Sequence, residues 1–233
     1  MKFLLANPAL DQQISQIQRL IRLSMDGVIS DSMKSHGIIY KKNYGVSITR
    51  LREIGKAIDK NHDLAQRLWL LDIRETIILA TLLQPAETFT KDMAHAWMEK
   101  CNNIELIEQV NLNLFQHLAY APEFSIKCIE SANIHHKTFG YMLALRVYKR
   151  LSQKEITVIL ERALQTDIID NQPMLYNTIA VCLARLSRKD EATARIITEK
   201  IQHFRTDAST GRNHIYETVK QELIFLGFID ENF

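Results

Sequence analysis

Apolar residues recur at helical spacing along almost the whole chain. Leu10, Ile14, Ile17 and Ile21 lie three or four positions apart, the period that brings side chains onto one face of an α-helix. Ile48, Leu51, Ile54 and Ile58 repeat the pattern after Ser47, a residue type suited to an N-cap. At about 100° per residue those four fill about a third of the helical wheel, and Arg52, Glu53 and Lys56 take the opposite arc. Gly55 falls on the edge of the apolar face. A glycine there costs about 1 kcal/mol of helix propensity, which is reasonable where a neighbouring helix approaches closely. The helix starting near Ile73 differs. Ile73, Ile77, Ile78, Leu79, Leu82 and Leu83 point in all directions, and a helix apolar all round is buried on every side. Asp72 is expected to cap it, Glu75 to face the positive end of its dipole, and Pro85 to close it.

Further helices are predicted near Lys91–Cys101, Ile104–Leu118, Glu123–Ser131, His135–Leu151, Lys154–Leu164, Pro173–Ser187, Glu191–Phe204 and Tyr216–Phe225. Pro122 and Pro173 stand at helix starts, where a missing N–H costs little. Asp207–Asn213, with Ser209-Thr210-Gly211, reads as the clearest loop. No composition shift marks a boundary, so one domain over residues 1–233 is expected. Helix pairs at intervals of about 40 residues indicate an all-α HEAT-like-repeat solenoid of the armadillo-type superhelical class. A compact irregular helical bundle is the structural alternative.

The composition agrees with a helical core. The chain of 233 residues is 46% hydrophobic and 24% charged, with 7 glycines and 4 prolines, too few for a turn-rich sheet protein. A net charge of +2 means that any nucleic-acid surface must come from arrangement rather than excess of cations. Cys101, Cys128 and Cys182 are far apart and lie in apolar helical patterns, the signature of reduced, buried thiols. The apolar run Phe3-Leu4-Leu5-Ala6 is too short for a signal peptide. Ile77 to Leu83 falls far below the roughly 20 residues that span a bilayer. A soluble cytoplasmic protein is expected.

Familiar catalytic patterns are missing: no phosphate-cradling glycine loop, no HExxH and no GxSxG. His135 and His136 are adjacent and face different ways, a poor metal pair; His62 is expected to open a helix and His95 to lie in one. The candidate binding residues are basic. Arg146, Lys149 and Arg150 follow i, i+3, i+4 spacing, as do Arg185, Arg188 and Lys189. On neighbouring solenoid helices the two clusters would form an electrostatic track for duplex phosphates. Equally, both sit at helix C-termini, where a cation offsets the dipole by about 0.3–1 kcal/mol. Lys41, Lys42, Arg50 and Arg52 are weaker candidates.

The run Asn43-Tyr44-Gly45-Val46-Ser47-Ile48-Thr49-Arg50-Leu51-Arg52-Glu53-Ile54-Gly55-Lys56-Ala57-Ile58, followed by Leu64-Ala65-Gln66-Arg67-Leu68-Trp69 and Arg74-Glu75-Thr76-Ile77-Ile78-Leu79-Ala80, resembles the AlkD-type DNA alkylation repair family. The resemblance implies a HEAT-like-repeat DNA glycosylase fold, duplex DNA as partner and no cofactor. It also implies a site: a Trp-Asp-x-x-Asp-like segment whose second acid is catalytic, a later tryptophan, and an arginine that holds the backbone. In this chain the segment reads Asn103-Ile104-Glu105-Leu106-Ile107-Glu108, which puts Ile104 at the tryptophan and Glu108 at the acid. The Lys-Arg-Ala-Gly-like segment reads Lys137-Thr138-Phe139-Gly140, with Lys137 as a DNA contact and Thr138 at the arginine. The later tryptophan falls near Val181. A carboxylate such as Glu108 stabilises positive charge on the sugar while aromatic faces hold a cationic alkylated purine. Losing both faces forfeits about 1–4 kcal/mol of lesion binding. Two functions follow: a DNA-backbone-binding repair protein with N-glycosidic hydrolysis at Glu108, or a non-catalytic solenoid scaffold for a protein or nucleic-acid partner.

Overall fold

The computed structural model describes residues 6–165 and 172–229. Among them every regular element is a helix and no strand occurs, and no helix is long and apolar enough to cross a membrane. The chain divides into two compact units, one formed by residues up to Trp97 with Asn103–Leu118, the other by Met98–Asn102 with the residues from Ala119 onward.

The first unit carries α1 (Pro8–Leu23), α2 (Gly27–Ser35), α3 (Ile48–Lys56), α4 (His62–Leu70), α5 (Arg74–Leu83), most of α6 (Lys91–Met98) and α7 (Ile104–Asn113). Leu51 and Ile54 of α3 are buried against α5, each worth about 1.5–3 kcal/mol of hydrophobic burial. The reason for Gly55 is visible here: a Cβ on it would lie 3.2 Å from Leu82 Cδ1. Ser47 caps α3 by accepting from the Arg50 N–H at 3.2 Å. Helix α5 is buried from Arg74 through Thr81, as its all-round apolar pattern predicts. Asp72 does not cap it. The N-cap position is Ile73, with no side-chain bond, and Asp72 has φ 58°. The first N–H of the helix, that of Arg74, instead donates to the Lys42 carbonyl at 2.9 Å.

The second unit carries α8 (Ala121–Ile129), α9 (Ile134–Arg146), α10 (Gln153–Gln165), α11 (Pro173–Ser187), α12 (Glu191–Ile201) and α13 (Thr210–Phe225). Helices α8 and α9, α9 and α11, and α11 and α13 form its principal pairs. Pro122 and Pro173 occupy the first turns of α8 and α11. The expected loop at 207–213 is shorter than its composition suggests. Ser209 accepts from the Arg212 N–H at 3.3 Å, so α13 begins at Thr210 and Gly211 is buried inside it. Several expected helices also end sooner, in short 3-10 turns at Phe115–His117, Tyr148–Arg150 and Gln202–Thr206. Cys101, Cys128 and Cys182 are free and buried. Burial pushes their thiols well above the usual range, so they remain protonated and unreactive.

Candidate functional site

In the first unit, Asn103 caps α7 by accepting from the Leu106 N–H at 3.0 Å. Glu108 sits in the second turn of that helix and is exposed, while Ile104, one turn earlier on the same face, is half-buried. Between them lies Glu105, and its role was not visible in the sequence. Arg74 Nε donates to Glu105 Oε2 at 2.8 Å and Nη2 to Oε1 at 2.6 Å, the bidentate geometry of a strong guanidinium–carboxylate pair. Arg74 Nη1 donates to the Val46 carbonyl at 2.8 Å and to Glu75 Oε1 at 3.0 Å. Glu75 in turn accepts from the Tyr44 and Val46 amides, so it serves the segment before α3 as well as its own helix end. The Tyr40 hydroxyl donates to Glu105 Oε2 at 2.8 Å.

Burial works to lower the Arg74 pKa, but its bonds to Glu105 and Glu75 outweigh this and hold it above its ordinary value. Burial, and then the Glu105 charge and hydrogen bond, push the Tyr40 hydroxyl far up, so it stays a neutral donor. The network fastens residues 40–46, α5 and the start of α7 together and makes the helix bearing Glu108 a rigid platform. The one sequence clue was an Arg-Glu pair opening a helix that is otherwise buried all round. Charges at such a place need partners.

Aromatic walls are missing from this acid's helix, and the tryptophans do not replace them. Trp69 and Trp97 stack on each other at 3.8 Å and 2°, and both are buried, with Phe89 edge-on to Trp97 at 4.8 Å. They are core. Thr138 is buried and donates to the Ile134 carbonyl at 2.8 Å, so no backbone-holding group projects from there. Val181 is 47% exposed.

Lys137 and the two clusters of basic candidates, Arg146, Lys149 and Arg150 with Arg185, Arg188 and Lys189, are all in the second unit, whereas Lys41, Lys42, Arg50 and Arg52 are in the first. Arg146, Lys149 and Arg150 do not share one helix face, because α9 ends at Arg146 and the chain tightens into the 3-10 turn. That change has a consequence. It turns Tyr148 toward α11, where Lys149 Nζ lies 5.9 Å and Arg185 Cζ 6.0 Å from the centre of its ring. The two clusters therefore meet at one aromatic side chain. Neither Lys149 nor Arg185 has an ion-pair partner among the described residues. Their neighbours are more committed. Arg150 Nη2 donates to the Ala119 carbonyl at 3.0 Å, Lys189 Nζ to the Leu151 carbonyl, and Arg188 to both oxygens of Glu222. Arg146 and Lys137 are half-buried. His136 Nε2 lies 3.4 Å from Glu99 Oε2, and no three potential metal ligands gather among the described residues.

A family model described as DNA alkylation repair enzyme matches residues 17–207. No curated protein matches the chain. A solved structure from "a new family of proteins related to the HEAT-like repeat DNA glycosylases with affinity for branched DNA structures" superposes with a TM-score of 0.77, covering 91% of this chain and 94% of that one, at 14% identity. At that identity the likeness establishes the HEAT-like-repeat fold.

Proposed function

Because the chain belongs to the DNA alkylation repair enzyme family, we propose that it grips DNA through the phosphate backbone and has given up efficient excision of alkylated bases. The observation that carries the first half is the pair of cations, Lys149 and Arg185, drawn to the one Tyr148 ring with no acid paired to either among the described residues. Cations without an acid partner are ready to take a backbone phosphate as counter-ion. The backbone carries no sequence information, so binding is sequence-independent. The second half rests on the residues that stand at the positions of the family's site. Glu108 is an exposed carboxylate on its helix, the type of group that stabilises a sugar cation. Ile104, Val181 and Thr138, however, supply neither an aromatic face for a cationic base nor a guanidinium for the backbone. Without the two cation–π interactions, lesion selectivity falls by about 1–4 kcal/mol, or about one to three orders of magnitude.

The test is incubation at low salt with duplex carrying N7-methylguanine, reading protein–DNA association and free base together. The expected result is a stable complex with base release no faster than in buffer. Release that vanishes in Glu108→Ala but persists in a distant surface variant overturns the loss of excision. Absence of a complex overturns the backbone grip. The structural relative is described as having affinity for branched DNA, so a four-way junction is the second probe. A backbone grip takes the phosphates of its arms as it takes those of a duplex.

A further inference from the structure

The first unit has a basic concavity of its own, of about 340 Å³, walled by Arg52, Lys56 and Lys60 and floored by Gly55, Ile58 and Leu82. Arg52 and Lys56 are i, i+4 neighbours on α3 and lie on the same side of it. Lys60 follows the helix end. All three are exposed, and none has a hydrogen bond or ion pair from its side chain among the described residues. The contrast with the same helix's Arg50 is informative. Arg50 is tied to Glu53 at 2.9 Å and to Ser24 at 3.2 Å. No acid lines the concavity. Its floor is open because position 55 is glycine, and Leu82 shows through where a side chain would stand. Unpaired cations around an apolar floor suit a group that is anionic at one edge and apolar on its face.

We propose that this concavity is a second phosphodiester-binding site, taking a DNA backbone phosphate between Arg52, Lys56 and Lys60 with the attached sugar over Leu82. The inference rests on the DNA-binding reading, and each compact unit then contributes its own phosphate contact. The exposed acid Asp59 lies next to Lys60 in the chain but does not line the site.

The test compares duplex affinity between 50 and 200 mM salt for the native chain and for the variant Arg52→Gln, Lys56→Gln, Lys60→Gln. If all three cations contact phosphate, the native chain loses about 40-fold more affinity over that interval than the variant, from a slope of about 0.9 per contact. A control variant, Arg19→Gln, Arg22→Gln, Lys154→Gln, removes the same charge from exposed positions elsewhere and is expected to keep the native slope. Equal slopes for the native chain and the Arg52 variant, or an equal loss in the control, overturn the proposal. If only the Lys149 and Arg185 substitutions change the slope, this site fails while the backbone grip stands. If the native chain does not bind duplex at all, both fall. A perturbation of the Gly55 amide resonance by duplex, and a weaker one by inorganic phosphate, is the local signature expected. Phosphate perturbing Gly55 while duplex does not overturns the DNA assignment.

Discussion

Arg74→Ala is expected to cost about 3–5 kcal/mol, the penalty for leaving one half of a buried ion pair uncompensated. Arg74 is only 2% exposed and Glu75 is fully buried. The guanidinium answers two carboxylates and the Val46 carbonyl at once. Removing it leaves the buried Glu75 charge with the Tyr44 and Val46 amides alone and breaks the tie between α5 and Glu105 of α7. At about 2–4 °C per kcal/mol for a chain of this size, the melting temperature falls by about 10 °C. Arg50→Ala is the informative comparison. Its pair with Glu53 is exposed on both sides, and such pairs are worth less than about 1 kcal/mol. If thermal denaturation finds the two variants equally stable, the network does not hold the platform under Glu108.

Gly45→Ala is expected to be of similar size. Gly45 has φ +72°, and a Cβ there would lie 1.9 Å from the Asp26 carbonyl oxygen and 2.9 Å from the Ser30 nitrogen. Both are backbone atoms at the start of α2, where Asp26 caps the helix and its own N–H donates to the Tyr44 carbonyl at 2.8 Å. The left-handed backbone alone costs about 1–2 kcal/mol for an alanine, and the overlap adds about 1–3 kcal/mol. Gly27→Ala provides the control, since nothing lies within 4 Å of a Cβ there. Chemical denaturation should show a lower midpoint for Gly45→Ala only. Equal midpoints would mean that residues 43–46 are not wedged between α2 and Glu75.

These two sites mark how far the sequence could be read. Local signals were legible. The period of Ile48, Leu51, Ile54 and Ile58 gave α3 and its buried face. The oddly placed Gly55 announced the close approach of a neighbouring helix, which is α5, and the apolar surround of residues 73–83 gave a helix buried on all sides. What depends on partners distant in sequence was not legible. Arg74 finds Glu105, and Trp69 finds Trp97, and no spacing rule links them. The short 3-10 turns were also hidden. No proline or glycine marks the break after Arg146, and beyond it the Leu151 carbonyl and the Arg150 side chain have tertiary partners that no spacing rule reveals. That break decides the candidate interface, since it brings Tyr148 to Arg185. The spacing of the six cations gathered them at the ends of two helices, but it did not separate Lys149 and Arg185 from Arg188 and Lys189, whose side chains are taken up by Glu222 and the Leu151 carbonyl.

The salt dependence of duplex binding, measured for the native chain and for Lys149→Gln, Arg185→Gln, tests the central claim most directly. A phosphate grip at Tyr148 predicts a steep fall of affinity with salt, and a slope shallower by about 0.9 for each cation that no longer meets a phosphate in the variant. Native affinity that does not change with salt, or a variant whose slope matches the native one, contradicts it.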